Sequence, residues 1–399
     1  MRTAYKCRAY PTPEQAAMLN RTFGCVRVVW NQTLAWRHRR WRSEQASTNL
    51  PQANAFLTQL KRTGEFTWLN EVSSVPLQQV LRTQQRAFVN FFSGRARYPR
   101  YKTRHGRQSA EYTRSGFRWR DGHLHLAKTD TPLAFIWSWP DVDPAALDPS
   151  TVTVSRDPDG RWYISLAVEV VNVPPPLPRT GRDVGIDLGV TDFAVTSDGE
   201  RIANPRHLER KAANLARYQR RMARKQPGSA NRAKAKSKVA RAHTKVRQAR
   251  ADFLHRTSTR LVREHDVIVI EDLAVANMVK NRNLARAIFG CGWGEFRRQL
   301  EYKCARAGRT LVVVDRWFPS SKTCSVCSHL LAVLALSTRH WTCSVCGTRH
   351  DRDVNAAKNI LAAGRAVTAC GGEVRRLGNR THSPPKQETQ PAKAGISRR

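Results

Sequence analysis

An acid-bearing strand is encoded by Gly185-Ile186-Asp187-Leu188-Gly189, and the segments around it decide the fold. Asp187 stands between apolar neighbours, and Phe193–Thr196 predicts the second strand of a hairpin. A later buried strand, Val267-Ile268-Val269-Ile270-Glu271, also ends in an acid. A carboxylate on a buried strand costs free energy unless it binds a cation or a hydrogen-bond donor. The two strands therefore indicate a site for a divalent metal ion.

A third acid lies at the start of the last predicted helix, Asp353–Ala363. Two Mg²⁺ ions held by three carboxylates can activate water and stabilise the leaving oxygen of a phosphodiester. Asp351 and Asp272 are close competitors for two of these places, and Asp353 can also serve simply as a helix N-cap. The order of hairpin, central strand and final helix matches the ribonuclease H architecture and favours a metal-dependent nuclease. The favoured catalytic and magnesium-binding triad is Asp187, Glu271 and Asp353.

Two CxxC pairs, Cys324-x-x-Cys327 and Cys343-x-x-Cys346, are separated by fifteen residues. This is the spacing of a zinc ribbon, in which four thiolates complete a tetrahedron around Zn²⁺. Four protein ligands leave no open position, so the zinc is expected to be structural. Lys322, beside the first pair, suits contact with a phosphate. The remaining cysteines are expected to be ordinary thiols: Cys7, Cys25, Cys291, Cys304 and Cys370.

The charge balance points to a polyanionic partner. The 399 residues carry 69 Lys and Arg against 31 Asp and Glu, a formal net charge of +38. No acid occurs from Arg210 through Ala251, a predicted helical stretch that Pro227-Gly228-Ser229 divides in two. Positive charge around a helix repels itself unless a counter-ion such as a phosphate backbone is present. The basic residues predicted to contact nucleic acid here are Arg217, Arg220, Arg221 and Arg224.

The first part of the chain predicts a small antiparallel barrel or sheet with helices inserted into it. Arg2–Tyr10 predicts a strand, and Thr12-Pro13-Glu14 a helix start. Alternating residues between Tyr98 and Val173 predict further strands. A helix after Pro76 can read base edges with its polar side, or that side can simply be solvated. The polar residues concerned are Gln78, Gln79, Arg82 and Arg86.

No targeting segment is recognisable. Met1–Glu14 is basic but lacks the apolar run of a signal peptide, and no stretch is long enough to span a bilayer. The cysteines outside the CxxC pairs are mostly scattered singly, which suits a reducing compartment. The expected location is the bacterial cytoplasm, in association with the nucleoid, without a membrane or small-molecule partner.

The chain resembles the TnpB (OrfB) proteins of bacterial insertion sequences, compact relatives of type V CRISPR effector nucleases. Five groups of segments spread over nearly the whole chain except the tail carry the likeness. They are Tyr10–Gln15 with Phe23-Gly24-Cys25 and Asn31; Tyr98-Pro99-Arg100-Tyr101-Lys102; Gly185–Gly189; Trp293–Phe296 with Leu300–Lys303; and Pro319–Cys324 through His350–Ile360.

The resemblance implies a multidomain α/β and α+β protein that binds a guide RNA from the end of its element and cuts double-stranded DNA. It places the RuvC metal ligands on Asp187, Glu271 and Asp353, which decides between Asp353 and Asp351. The expected domains are a wedge-type β-barrel (1–12 and 98–173), a helical recognition insertion (13–97), a RuvC-like nuclease domain (182–319 and 348–364), a zinc ribbon (320–347) and a disordered basic tail (365–399).

Two features depart from the family pattern. Ser328 follows Cys327 where the family usually has glycine, and Leu330–Leu336 is unusually apolar. Because all three acids and four cysteines are present, activity is expected. Two other functions are open from the residues alone: a zinc-ribbon regulator that binds DNA or RNA without catalysis, and an autonomous transposase that joins strands.

Overall fold

The computed structural model describes residues 2–169, 175–335 and 337–369. It divides into two compact units, the first comprising Met1–Val173 with Ala213–Lys245 and the second Pro174–Ala212 with Val246–Arg399. Residues 213–245 cluster with the first unit, and the boundaries of the expected domains stay predictions. Among the described residues, no helix has the length and apolar character needed to cross a membrane.

The elements of the first part of the chain lie between residues 2 and 169. In chain order they are β1 (Arg2–Tyr10), α1 (Pro13–Glu44), α2 (Leu50–Arg62), a 3₁₀ helix (Gly64–Glu71), α3 (Ser74–Phe92), β2 (Gln108–Thr113), a 3₁₀ turn (Arg114–Gly116), β3 (Phe117–Arg120), β4 (His123–Leu126), β5 (Ala134–Ile136), a 3₁₀ turn (Pro144–Ala146), β6 (Pro149–Arg156) and β7 (Trp162–Glu169).

The first unit is built on an antiparallel sheet whose strand order is β2-β6-β7-β1-β5. The N-terminal strand therefore belongs to this sheet, and α1 to α3 are inserted between it and β2, as predicted. Alternate residues of β1, namely Tyr5, Cys7 and Ala9, are buried in the core. Within the described residues β2 and β5 form the two edges, which agrees with the antiparallel sheet predicted from the residues, and the wedge-type barrel stays a prediction.

The start of α1 confirms the helix start predicted at Thr12-Pro13-Glu14, with Thr12 as the N-cap. The Thr12 side chain accepts a hydrogen bond from the Gln15 amide at 3.3 Å, and the Gln15 side chain accepts one from the Thr12 amide at 3.1 Å. This reciprocal pair satisfies two amides that the first helical turn leaves without partners. The Gln15 amide group also reaches the Thr131 carbonyl at 2.9 Å, which fixes the helix against the strand region.

The elements of the remaining chain lie between residues 183 and 369. In chain order they are β8 (Asp183–Leu188), β9 (Asp192–Thr196), β10 (Arg201–Ala203), α4 (His207–Arg210), α5 (Ala212–Ala223), α6 (Ala230–Glu264), β11 (Val267–Glu271), α7 (Val275–Met278), α8 (Ala285–Cys291), α9 (Trp293–Ala307), β12 (Thr310–Val314), β13 (His340–Thr342), β14 (Arg349–Asp351) and α10 (Arg352–Ala369).

The second unit is built on a mixed sheet of order β10-β9-β8-β11-β12. The hairpin of β8 and β9 is antiparallel, whereas β8, β11 and β12 run parallel. One face packs against α6, α8 and α9 through a core that includes Ile186, Ile270 and Phe296. The other face carries Val269 and Val312, which pack with Ile360 of α10. Because both faces are covered, the central strands are almost entirely apolar.

Two boundaries differ from the prediction. The last helix continues to Ala369, so 365–369 are helical rather than part of a disordered tail. Arg365 binds Asp183 at 3.1 Å, which holds this end of the helix against β8. The rest of the predicted tail and Cys370 lie outside the described residues.

Candidate active site and metal centre

The first two acids lie side by side at the ends of neighbouring strands. In the parallel pairing of β8 with β11, Ile186 is the partner of Ile270. Asp187 and Glu271 are each one residue further along their strands. Since the strands are parallel and in register, both carboxylates leave the same edge of the sheet on the same face.

The third acid reaches this face because α10 crosses it in close contact. A Cβ at Gly185 would collide with the Ala357 carbonyl and lie 2.6 Å from the Leu361 amide. Gly185 is two residues before Asp187 and therefore on the same face of β8. Asp353 lies one turn before Ala357, in the first turn of α10. Only glycine at 185 allows the helix to approach this closely and to bring its first turn to the acids.

Asp351, not Asp353, caps this helix. One Asp351 carboxylate oxygen accepts hydrogen bonds from the amides of Asp353 at 3.1 Å and Val354 at 3.0 Å, and the other lies 2.6 Å from Arg201. Asp353 is therefore not needed as the N-cap. Its carboxylate lies 3.6 Å from Arg201 and 3.8 Å from Arg339, outside hydrogen-bond range. These contacts favour Asp353 over Asp351 as an acid available to a metal ion.

Asp272, the alternative to Glu271 as a metal ligand, is bound by arginine side chains. Asp272 accepts hydrogen bonds from Arg297, at 2.5 Å, and from Arg316. Burial opposes ionisation of Asp272, but the two guanidinium groups outweigh it and lower the pKa of the carboxyl. A carboxylate neutralised by two arginines is a poor candidate for a metal ligand, so Glu271 is favoured on this strand.

The electrostatics of the triad favour the binding of a cation. Burial, together with the charges of Glu271 and Asp353, raises the pKa of Asp187 to about 7, although Arg352 opposes this. Burial also raises the pKa of Glu271, partly offset by the hydrogen bond from Ser320. The acids therefore resist ionising together, and a divalent cation is the counter-charge that relieves such a cluster.

The Ser320 hydroxyl is a functional group that the sequence patterns did not reveal. It is buried and donates to Glu271 Oε1 at 2.5 Å. Asn359 of α10 donates to the Ser320 carbonyl at 2.7 Å and to the Thr323 carbonyl at 2.6 Å. Asn355 donates to the Thr323 carbonyl at 2.7 Å and accepts from the Ser325 amide at 2.9 Å. The last helix thereby clamps the loop that orients Glu271.

The same loop continues into the cysteine cluster. The Sγ atoms of Cys324, Cys327, Cys343 and Cys346 all lie within 4.8 Å of one another. Among the described residues, these thiols form the only set of three or more His, Cys, Asp or Glu ligand atoms at that spacing. Four convergent thiols fit a tetrahedral Zn²⁺ site. The carboxylate oxygens of Asp187, Glu271 and Asp353 do not form such a set at this spacing.

Other side chains pack around the cysteine cluster, and the spacing of the cysteines did not predict them. His350 is buried, and its Nε2 lies 3.1 Å from Cys324 Sγ. Leu331 and Leu334 pack against Cys324, Trp341 and Cys343, so part of the apolar segment serves as a small core for the ribbon. Leu330 and Val333 remain exposed, and Leu336 lies outside the described residues.

The two knuckles have the same backbone geometry despite their different sequences. The Cys324 amide donates to the His329 carbonyl at 2.8 Å, and the Cys343 amide to the Thr348 carbonyl at 2.9 Å. Ser328 and Gly347 hold equivalent positions with φ of 62° and 68°. Ser328 therefore adopts the left-handed conformation that glycine adopts without strain.

Ser328→Gly is expected to stabilise the zinc-bound ribbon by about 1 kcal/mol or less, because relief of left-handed strain exceeds the added chain entropy of glycine. The reciprocal change, Gly347→Ser, is expected to destabilise it by a similar amount. Zinc loss to a chelator, followed by a colorimetric indicator, measures both. Faster zinc loss from Ser328→Gly than from the parent would contradict the interpretation.

The predicted nucleic-acid residues have different environments. Gln78, Arg82 and Arg86 are exposed on α3, but Gln79 is buried on the side of this helix that packs into the core, so its prediction as a base-reading residue was wrong. Lys322 is partly buried and donates to the Ala332 carbonyl at 3.1 Å. The basic residues of α5 and the turn after it are exposed, namely Arg217, Arg220, Arg221 and Arg224.

Four other cysteines are buried free thiols, as predicted: Cys7, Cys25, Cys291 and Cys304. Burial raises the pKa of Cys7 and of Cys25 to about 11 and that of Cys304 to about 12. A thiol with such a pKa stays protonated at neutral pH and is a weak nucleophile.

Three family models match successive parts of the chain. A helix-turn-helix domain model of the OrfB family matches residues 1–46, a model described as "Probable transposase" matches 165–282, and the Cas12f1-like TNB domain matches 293–360. The third match contains the four cysteines and Asp353, and the second contains Asp187 and Glu271.

Curated relatives cover the full length. A Streptomyces pristinaespiralis protein named "Putative RNA-guided DNA endonuclease" is 55% identical over 100% of this chain and 99% of its own length. The Escherichia coli K12 protein InsQ, given the same description, is 34% identical over 96% of both chains.

Solved structures share the fold at low identity. The Cas12f1 protein, seen by cryo-EM with sgRNA and target DNA, gives a TM-score of 0.53 at 16% identity, over 88% of this chain and 83% of that one. The mini-RNA-guided endonuclease Cas_phi3 gives 0.50 at 10% identity, over 96% and 94%. Given relatives that match along its whole length, the chain belongs to the TnpB (OrfB) family of insertion-sequence proteins.

Proposed function

We propose that this protein is an RNA-guided DNA endonuclease of a bacterial transposable element and that Asp187, Glu271 and Asp353 hold its catalytic Mg²⁺ ions. The observation that carries the proposal is the convergence of three acids from β8, β11 and α10 on one face of the sheet, with the pKa of Asp187 raised to about 7. The names of the full-length relatives support the substrate class.

The donor set fits Mg²⁺, which prefers carboxylate oxygens and retained water. When bound, the ions would supply a metal-activated water and charge stabilisation at the phosphodiester. The residues of this chain hold the three carboxylates in position. Asp187 and Glu271 are fixed on adjacent strands, Asp353 on a helix pressed against them, and Ser320 restrains the Glu271 carboxylate. A non-catalytic regulator would leave this strained cluster without a role.

The charge distribution supports nucleic acid as the partner. The exposed arginines of α5 have no neighbouring acids along the chain and offer contacts to a phosphate backbone. In the proposed assignment, 1–12 and 98–173 form the wedge-type domain, 13–97 the recognition insertion, 182–319 with 348–364 the RuvC-like domain, and 320–347 the zinc ribbon. Guide pairing would read the target, and the protein would read the backbone and a short flanking motif.

Sequencing the RNA that copurifies with the protein tests the guided mechanism. A discrete structured RNA that ends in variable sequence is expected, and the complex should cut a plasmid matched to that sequence only when Mg²⁺ is present. Bulk cellular RNA without a common structure would count against guidance. Joined-strand products instead of simple breaks would identify a transposase.

Ser320→Ala is expected to lower the cleavage rate about 10- to 100-fold at limiting Mg²⁺, the range typical of losing a partner that orients a metal ligand. The reason is that Glu271 loses its hydrogen bond and samples other rotamers. A titration of cleavage against Mg²⁺ should show a higher requirement in the variant. Ser321→Ala, which changes the next residue in the same way, is the control. An unchanged Mg²⁺ dependence in Ser320→Ala would remove the positioning role.

A further inference from the structure

Trp317 is an unusually exposed tryptophan in the loop that follows β12. Its side chain is 84% exposed, although full burial of a large side chain is normally favourable by about 2 kcal/mol or more. The adjacent Phe318 is partly buried and packs against the core of Val269, Val312 and Ile360. The loop therefore already has an apolar anchor, and Trp317 points away from it.

The loop from Val314 to Ser320 contacts Glu271 at both of its ends. Val314, the last residue of β12, is the strand partner of Glu271, and Ser320 donates to the Glu271 carboxylate. Trp317 is three residues from each, so its Cα lies within about 11 Å of either end of the loop. At roughly 3.4 Å per nucleotide of a stacked strand, this distance corresponds to about three nucleotides.

The backbone at Trp317 is held in place. Its amide donates to the Asp315 side chain at 2.8 Å, and the Phe318 amide donates to the Asp315 carbonyl at 3.1 Å. Arg316 is bound to Asp272, next to Glu271. A rigidly mounted, exposed indole beside a candidate phosphodiester site has the properties of a stacking platform, because every nucleobase presents a π-face.

We propose that Trp317 binds an unpaired base of the DNA strand in the acid site by stacking, and so sets the path of that strand past Glu271. This inference rests on the proposed function, since it takes the strand near the triad to be DNA. Stacking binds a single strand without reading its sequence, which suits an enzyme whose specificity comes from guide pairing.

Photocrosslinking tests the contact without requiring cleavage. The probe is a single-stranded DNA of about 20 nucleotides, longer than the roughly 4 to 16 nucleotides of one single-strand site, with thymines replaced by 5-bromouracil. It is irradiated with the full-length Asp187→Asn protein, purified with its RNA. Trypsin cuts after Arg316 and Lys322, so mass spectrometry can follow the peptide Trp317–Lys322. Fragmentation of that peptide assigns the crosslink to Trp317 or to Phe318.

A crosslink at Trp317 that an excess of unmodified single strand removes is the expected result. Crosslinks confined to other residues, or none at all, overturn the proposal. Because this readout needs no cleavage, a crosslink at Trp317 together with a parent protein that never cuts DNA would refute the proposed function and leave the stacking contact standing.

Kinetics of the otherwise unaltered protein provide the second readout. Trp317→Ala is expected to raise the KM for target cleavage about 5- to 150-fold, the loss of one stacked base, with little change in kcat. Trp317→Phe should keep most of the affinity. Phe289→Ala is the matched control, since Phe289 is 59% exposed on α8, which packs on the opposite face of the sheet. Equal KM values for Trp317→Ala and the parent overturn the proposal.

Discussion

Asp187→Asn is expected to abolish cleavage while stabilising the metal-free protein, so that one substitution moves activity and stability in opposite directions. An amide cannot supply the charge that a metal ion needs, and losing several kcal/mol of metal-assisted stabilisation corresponds to a rate lower by about 10³-fold or more. RNA binding should be unchanged, because Asp187 lies at a strand end in the acid cluster rather than on the basic surface.

The stability effect depends on pH with a definite sign. Burial and the neighbouring acids raise the folded pKa of Asp187 from 3.8 to about 7. Folded Asp187 therefore holds a proton that the unfolded chain releases near pH 4, and the contribution of this group to stability falls as the pH rises from about 4 to 7. A shift of this size corresponds to a loss on the order of 4 kcal/mol above pH 7.

Thermal unfolding in EDTA checks this directly. Between about pH 4 and pH 7 the Tm of the parent should fall relative to that of Asp187→Asn, and the variant should have the higher Tm at pH 8. Added Mg²⁺ should raise the Tm of the parent more than that of the variant. Asp192→Asn is a control on the same sheet, since this acid pairs with Arg201 at 2.7 Å. If Asp187→Asn proves less stable than the parent at pH 8 without metal, the ionised acids do not destabilise the folded protein.

The sequence predicted the sheet of the second unit well because its strands are continuous apolar runs. The predicted strand Val267–Glu271 has the observed bounds, and the predicted strand Phe193–Thr196 differs from the observed one by a single residue. The first unit was harder. The helix Leu50–Arg62 and the strand Ala134–Ile136 were not predicted, since a short amphipathic helix and a three-residue edge strand carry little periodicity.

Sequence patterns also predicted only part of the candidate site. Residue types and spacing identified the acids and thiols, but they did not separate Asp353 from Asp351, because either can cap a helix. The family resemblance implied Asp353, and the hydrogen bonds from the amides of Asp353 and Val354 to Asp351 support that choice. Ser320 was likewise invisible, since a serine in a polar loop has no distinguishing pattern until the fold brings it to Glu271, 49 residues away.

Loss of the zinc site is expected to lower cleavage at least as much as Ser320→Ala, although the thiols bind no part of the acid cluster. Cys343→Ser removes one of four ligands, and structural zinc contributes an apparent binding free energy of about 10 to 16 kcal/mol in small zinc domains. Without it, the ribbon core of Cys324, Trp341, Cys343, Leu331 and Leu334 is too small to stay folded alone.

Unfolding of the ribbon is expected to affect Glu271 through the loop that α10 holds in place. The hydrogen bonds of Asn355 and Asn359 reach this loop at Ser320, Thr323 and Ser325, on either side of Cys324. When Cys324 is no longer fixed by zinc, Thr323 and Ser325 lose their geometry toward the two asparagines, and Ser320 is held less firmly against Glu271. Zinc content, the Mg²⁺ requirement of cleavage and the amount of copurified RNA measure this in Cys343→Ser.

Cys7→Ala is the thiol control, since Cys7 is buried in the first unit and belongs to no cluster of metal ligands among the residues that the structure describes. A zinc-free Cys343→Ser protein that keeps the parent's Mg²⁺ requirement and cleavage rate would show that the ribbon and the acids are independent. A higher Mg²⁺ requirement with unchanged RNA content places the defect at Glu271. Loss of RNA as well would mean that the ribbon also serves binding, and the Ser320→Ala variant, whose thiols are intact, would then isolate the contribution of the loop.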